Sequence, residues 1–446
     1  MIPAILLLVW FVLSLPPISA GGRADEAGGE FQSINEFVRE LKPPTLFRRK
    51  RLAPLTHGND TKDELVFVQV LFRHGDRTPE RPFWFDKPGQ WRGLAELTPK
   101  GMAQMVELGK KLRTKYVDTM KLVDPHYNPN QVYFRSSDKN RTLMSAMATT
   151  VGFFGKGRRG IDFPVIEDWP GGFVPVPVHT VDWPTDLLFN QYVQCPRAER
   201  ARQLLRDSVE YKLLERRTSH LFTYLSKIRN ETITLENAYW LYDMWLVHRL
   251  YNASMPPEFT DDLWRQFEAV GFVMNDYQFG VGVQPFNGMD LRRELTRLRG
   301  GTILNEFVEN MRQKVRCSEA QEGEWKDEKF AKACGWMRDL KFHAYSGHDT
   351  TIEVVFSAFG FETTNYVDVG EPKYAASVSF ELWKRATDGE YVVKVHYWPP
   401  QMGTFDITAD ISGCGGADCS LERFAARSRP FTMSLDLQEE CRIPTG

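Results

Sequence analysis

The chain has 446 residues, enough for a large buried core and more than one folding unit. Its 42% hydrophobic and 26% charged residues are those of a soluble globular protein, and 12 Trp with 30 Phe argue against disorder. A formal net charge of -2 speaks against wholesale binding of nucleic acid or anionic membrane, so any anion site must be local.

Residues 1–20 differ from the rest. Ile5 to Leu15 is an apolar run too short to span a bilayer, and Ser19 and Ala20 suit a signal-peptidase cut, although no Lys or Arg precedes the run. These residues are predicted to be a secretory signal. No later stretch is apolar enough to serve as a membrane anchor, which places the mature chain outside the cell or in the lysosomal lumen. Residues 21–60 form a leader. Its run Arg48-Arg49-Lys50-Arg51 reads either as a processing site that ends a propeptide at Arg51 or as a solvated basic patch. Asn59, Asn230 and Asn252 are glycosylation acceptors, whereas the fourth sequon, at Asn140, falls in a segment with site character and is expected to stay unmodified. Six cysteines in an oxidising compartment imply three bridges, with the pairing left open by spacing alone. No CxxC spacing points to zinc.

Leu65 to Phe72 is a near-continuous run of β-formers, suited to a central strand covered on both faces. It passes directly into Arg73-His74-Gly75-Asp76-Arg77-Thr78-Pro79, and then into an aromatic loop with Phe83, Trp84, Phe85 and Trp91. Thr98 and Pro99 open a helix as N-cap and first helical residue, continuing to about Tyr116. Gln131 to Phe134 predicts a second strand, ending in Arg135-Ser136-Ser137-Asp138, followed by a helix from about Lys139 to Phe154. From residue 187 to 298 the texture becomes helical without a convincing strand, as in Arg197 to Lys227, Leu235 to Tyr251 and Leu291 to Leu298. Gly300-Gly301 reads as the end of that region, with a new helix from Ile303 to Val315. Ser318 to Lys332 reads as a polar surface loop between Cys317 and Cys334. A third strand, Leu340 to Tyr345, ends in Ser346-Gly347-His348-Asp349-Thr350-Thr351 and feeds a helix from Ile352 to Phe359. Val378 to Trp383 and Tyr391 to Trp398 alternate as an antiparallel pair around Asp388-Gly389. The expected architecture is α/β: one catalytic domain from residues 61–186 and 299–446, with 187–298 inserted as a smaller all-α domain.

Three strands thus end in ionisable residues, and open α/β sheets bind ligands at such ends. Converged, they bring together Arg73, His74, Arg77, Arg135, His348 and Asp349. Guanidinium groups round one pocket suit the oxygens of a phosphoryl group in transfer and make a metal redundant. His74, flanked by Arg73 and Arg77, fits a nucleophile, because neighbouring cations disfavour its protonation. Asp349 is the available acid for the leaving oxygen, since a bound phosphate dianion raises its pKa. His348 fits a phosphate ligand.

The chain closely resembles the histidine acid phosphatases, a branch of the phosphoglycerate-mutase-like superfamily that includes the prostatic and lysosomal enzymes. The resemblance rests on RHGDRTP at 73–79, LTPKG at 97–101, FRSSDKNRTLMSA at 134–146, RLRGG at 297–301 and SGHDTT at 346–351, within about Leu65 to Cys441. It implies a three-layer α/β/α domain, a phosphohistidine on His74, and Asp349 as proton donor. Arg73, Arg77, Arg135 and His348 would bind the phosphate, with neither metal nor other cofactor. It also implies small phosphomonoesters, and phosphoprotein, as substrates of a homodimer. The family's bridges carry over as Cys195–Cys441 and Cys414–Cys419, leaving Cys317–Cys334. A third family bridge has its partners replaced together by Val247 and Ser377. A phytase or inositol-polyphosphate phosphatase is the rival within the fold, and a catalytically inactive secreted binding protein is the rival outside it.

Overall fold

A computed structural model of the chain describes residues 63–155, 157–367 and 370–443. The expected signal, leader, propeptide boundary at Arg51 and the Asn59 sequon lie outside the described residues. The core is an eight-stranded sheet: β1 (Glu64–Arg73), β2 (Val132–Ser136), β3 (Val178–His179), β4 (Phe342–Gly347), β5 (Ser377–Lys384), β6 (Tyr391–Trp398), β7 (Phe405–Asp406) and β8 (Cys419–Ser420). The order is β3-β2-β4-β1-β5-β6-β7, with β8 on β6. The half from β3 to β1 is parallel, and from β5 onward it is antiparallel.

Alternation along β1 sends its side chains into two cores. Val68, Val70 and Phe72 join Met105, Phe134, Phe153 and Phe342 on one face. Phe67 and Leu71 join Phe307, Met311, Phe356 and Phe380 on the other. The first face is covered by helices α1 (Pro99–Arg113) and α2 (Asn140–Phe154). Then come α3 (Pro196–Asp207), α4 (Val209–Arg217), α5 (Ser219–Arg229), α6 (Tyr239–Leu250) and α7 (Asp261–Tyr277), with no strand interposed. The second face carries α8 (Leu291–Glu319) and α10 (Asp349–Phe359), with α9 (Glu328–Cys334) between them in sequence; α11 (Leu421–Ser428) follows the last strand and α12 (Leu437–Glu440) ends the order. This is the expected α/β/α layering.

Helix α1 starts as expected, with Thr98 Oγ1 accepting from Gly101 N at 3.0 Å and Pro99 in the first turn. It continues as a π turn over Thr114–Thr119, which turns Lys115 and Tyr116 inward together. Lys115 Nζ lies 2.5 Å from buried Glu381, and Tyr116 Oη donates to the same carboxylate at 2.8 Å.

Two elements differ from expectation. The helix does not end at Gly300-Gly301 but runs through, kinked at Gly300. There the requirement is space: a Cβ on Gly300 would lie 2.4 Å from Val354 Cγ1 of α10. The stretch after Cys317 is not a plain loop either, because Asp327 caps α9 by accepting from Phe330 N at 2.8 Å. The cysteines pair as Cys195–Cys441, Cys317–Cys334 and Cys414–Cys419.

Candidate active site

Register brings the site together. In the parallel pair β1/β4, Arg73 lies opposite Gly347, so the residues that follow, His74 and His348, emerge side by side. In β2/β4, Ser136 lies opposite Ser346, which sets Ser137 beside the same edge. His74 is fixed through its backbone on both sides: its N donates to Gly347 O at 3.1 Å, and its carbonyl accepts from Ala375 N at 3.1 Å. Its ring Nδ1 faces Gly75 O at 2.8 Å. A carbonyl can only accept, so Nδ1 carries the proton and Nε2 keeps its lone pair. The turn is possible because Gly75 and Gly101 abut. A Cβ on Gly75 would lie 2.4 Å from Gly101 O, and one on Gly101 would lie 2.2 Å from Asp76 O.

Each neighbouring cation is held by acids. Arg73 Nη2 is 2.7 Å from Asp349 Oδ2, and its Nη1 is 3.4 Å from Glu371 and 2.5 Å from Pro372 O. Its guanidinium also lies 4.3 Å from the Tyr374 ring centre. Arg77 forms a fork on Asp243 with distances of 2.7 and 3.3 Å. Glu80 bridges Arg77, at 3.5 Å, and Arg141, at 3.1 Å. Arg73, Arg77 and Arg141 each keep a buried Nε without a hydrogen-bond partner among the described residues. Such donors are costly unless an anion uses them.

A cleft of about 980 Å³ opens over this cluster, with His74, Arg77, Arg141, His348, Asp349 and Glu371 at one end. His348 Nε2 lies 3.0 Å from Ser137 Oγ, and the Trp183 ring stands edge-on to it. Burial, then Arg141 and Arg73, push His74 well below the usual histidine range, and burial and Arg141 do the same to His348. Burial would raise Asp349, but Arg73, His348 and Arg77 outweigh it and hold the carboxyl below its ordinary value. Burial and the Asp349 charge push Glu353, one turn further along α10, well up.

These shifts have a measurable consequence. The unfolded chain takes up protons on His74 and His348 as pH falls through about 6.5, while the folded chain resists, so this pair costs stability on acidification. Imidazole ¹⁵N NMR at about pH 5 should show His74 neutral with its proton on Nδ1. An imidazolium there would contradict the hydrogen bond to Gly75 and the cationic surroundings.

Arg135 stands apart from Arg77 and His348, which line the cleft. Arg73 does not line it either, but it is paired with Asp349, which does, whereas Arg135 turns to Asp186. Its Nη2 is 2.8 Å from Asp186, its Nη1 donates to Ser136 O, and its guanidinium lies over Phe189. The strand alternates its side chains, and at this position the guanidinium is drawn to a buried carboxylate. Arg141, in the first turn of α2, reaches the cleft instead. A cation there is unfavourable with the helix dipole, and that was the available sign of another partner. The sequence assigns no role to Asp243, Glu371 or Glu353, although Tyr242-Asp243 is a pair that the family resemblance shares. Asp243 and Glu371 act through approaches between distant segments, such as Arg77 and Asp243, which are 166 positions apart.

Residues 64–398 match the family model of the histidine phosphatase superfamily (branch 2), and the chain belongs to that family. Among its relatives are the lysosomal acid phosphatase of Xenopus laevis and the prostatic acid phosphatase of Bos taurus. The first is 29% identical over 387 residues, covering 85% of this chain and 79% of the relative. The second is 28% identical over 401 residues, covering 87% and 91%. In solved structures the same fold occurs in a phytase from Citrobacter braakii, with TM-score 0.56 and 16% identity over 85% of this chain and all of that one. It occurs also in the Hafnia alvei phytase–tartrate complex, with TM-score 0.57 and 15% identity, covering 86% and 99%.

Proposed function

We propose that this chain is an acid phosphatase that hydrolyses phosphate monoesters through a phosphohistidine on His74. The carrying observation is the Nδ1 contact to Gly75 O, which leaves Nε2 as the free base in a cleft shared with Arg77, Arg141 and Asp349. The phosphoryl oxygens are taken by Arg73, Arg77, Arg141 and His348, which supply the positive charge of transfer. Nε2 attacks phosphorus as the bond to the leaving oxygen breaks, and Asp349 gives that oxygen its proton. In the second step Asp349 takes a proton from water, water attacks phosphorus, and the P–N bond breaks to release phosphate and neutral His74.

Asp349 is ionised while paired with Arg73. A substrate monoanion solves this. Its phosphoryl group competes for Arg73, and its proton moves to Asp349, which favours acidic conditions.

The inositol-polyphosphate alternative requires several cations at the mouth. Besides Arg77 and Arg141 the cleft does hold Arg81, Lys139, Arg202, Arg206 and Arg299, but Arg202 and Arg206 are paired with Glu199 and Glu236, and aromatic groups including Trp183, Tyr192, Tyr239 and Trp240 share the lining. Turnover of p-nitrophenyl phosphate far above that of inositol hexakisphosphate is the expected result, and the reverse ranking would favour the phytase reading. We also propose lysosomal or extracellular delivery, glycans on Asn230 and Asn252, which are both exposed, and on Asn59, and a homodimer. No helix among the described residues is long and apolar enough to cross a membrane. Residues 187–298 are taken as a distinct helical unit that supplies the leaving-group side of the cleft.

A further inference from the structure

Away from the phosphoryl end, the cleft continues between the helices. Its walls there include Leu205, Tyr211, Leu235, Phe267 and Tyr277. Into this lobe, which Gln191, Gln278 and the paired Arg202 and Arg206 also line, comes the guanidinium of Arg299, from the turn of α8 just before the kink.

Arg299 is unlike the other arginines of the cleft. Arg77, Arg141, Arg202 and Arg206 are each within ion-pair distance of a carboxylate: Asp243, Glu80, Glu199 and, for Arg206, Glu236 as well. Arg81 has none among the described residues, but it sits at the exposed rim, where water screens it. Arg299 also has none among the described residues, and its partners are neutral. It donates to Gln278 Oε1 at 3.0 Å, to Gln191 Oε1 at 3.3 Å and to Gln278 O at 3.5 Å. The Phe279 ring lies 5.1 Å away, and Tyr192, whose ring centre is 5.9 Å away, adds its neutral hydroxyl as a further hydrogen-bond partner. Its Nε is buried without a hydrogen-bond partner among the described residues. Glu353 is the carboxyl whose field reaches it, and that group is pushed up by burial and the nearby Asp349 charge, so it offsets little.

The glutamine arms are held in turn. Gln278 Nε2 donates to Asn275 Oδ1 at 2.5 Å, and Asn275 donates to Thr364 Oγ1 at 3.2 Å and to Glu353. A chain of neutral amides therefore fixes a cation in a concave apolar wall without neutralising it. An uncompensated, immobilised guanidinium in such a wall is an anion receptor.

Resting on the phosphatase reading, we infer that Arg299 is a second anion subsite, and that the preferred substrates are phosphomonoesters whose apolar leaving group carries a carboxylate or second phosphate at its far end. The phosphoryl end binds over His74, the apolar part lies along the aromatic lobe, and the distal anion meets Arg299.

The test uses aryl phosphates bearing a carboxylate on tethers of stepwise increasing length, each against its methyl ester, with p-nitrophenyl phosphate alongside. At the best tether, the full-length enzyme should favour the acid over the ester in kcat/KM by about tenfold or more, the scale of a hydrogen bond to a charged group. Arg299→Gln should bring the ratio to about one, and Arg299→Lys should keep part of it. No acid preference at any tether, with p-nitrophenyl phosphate still hydrolysed, overturns the subsite alone. An acid preference that survives in Arg299→Gln overturns it equally. Failure to hydrolyse any of these esters would sink the phosphatase reading itself. The wild-type ratio decides even if a variant fails to fold.

Discussion

Asp349→Asn should slow release of the leaving group by an amount set by that group's own basicity. With an alkyl phosphate such as glycerol phosphate, the departing alkoxide needs a proton, and the loss should be about 10²–10⁴-fold, the usual worth of a placed acid. p-Nitrophenolate leaves readily without one, so its release in the first turnover should fall at least ten times less. The amide keeps the size of the carboxyl and an oxygen for the Thr350 N–H, which donates to Asp349 Oδ1 at 2.7 Å in the native chain. Because Asp349 also serves as base in the second step, the variant should show a burst of nitrophenolate followed by slow turnover. Equal losses for both esters in a pre-steady-state measurement would remove Asp349 from the role of acid.

Arg141→Ala and Arg135→Ala should fail in opposite ways. Arg141 lines the cleft and has an unused buried Nε. Its loss should lower kcat/KM by about 10²–10³-fold, as for a lost transition-state donor, with little change in melting temperature. Arg135 is paired with Asp186, whose side chain is 1% exposed. Removing it leaves a buried acid unpaired, which costs about 3–5 kcal/mol of stability, while kcat/KM of the folded fraction stays within a few-fold. Burial already pushes Asp186 up against the pull of Arg135, so the orphaned acid would take up a proton. Measuring both kcat/KM and thermal unfolding for the two variants separates the roles. The reversed pattern would restore Arg135 as a phosphate ligand.

The contrast between these two arginines shows where a one-dimensional reading stops. The strand ends were legible because buried β-runs give way abruptly to ionisable residues, as at Phe72–Arg73 and Tyr345–Ser346. Parallel register then makes such ends neighbours, which is why His74 and His348 meet. The direction of a long side chain is not written in the run itself. Arg135 follows strand alternation toward Asp186, whereas Arg141, six positions later, is turned to the cleft by the first turn of α2. Asp243 and Glu371 carried no legible role because their arginine partners lie on other segments, and Glu353, one turn from Asp349 on α10, reads as an ordinary helix residue until its burial is known. Gly300 misled in a different manner: glycine as a helix terminator and glycine as a site of close approach look alike in sequence, and packing against Val354 decides.

The central claim is that His74 carries the phosphoryl group. Wild type and His74→Ala should be mixed with labelled phosphomonoester and quenched in alkaline denaturant within the first turnovers. The account predicts protein-bound phosphate in the wild type that survives alkali, is lost in acid as a P–N bond requires, and is absent from His74→Ala. An active wild type with no protein-bound label at any quench time, or label retained in His74→Ala, would contradict it.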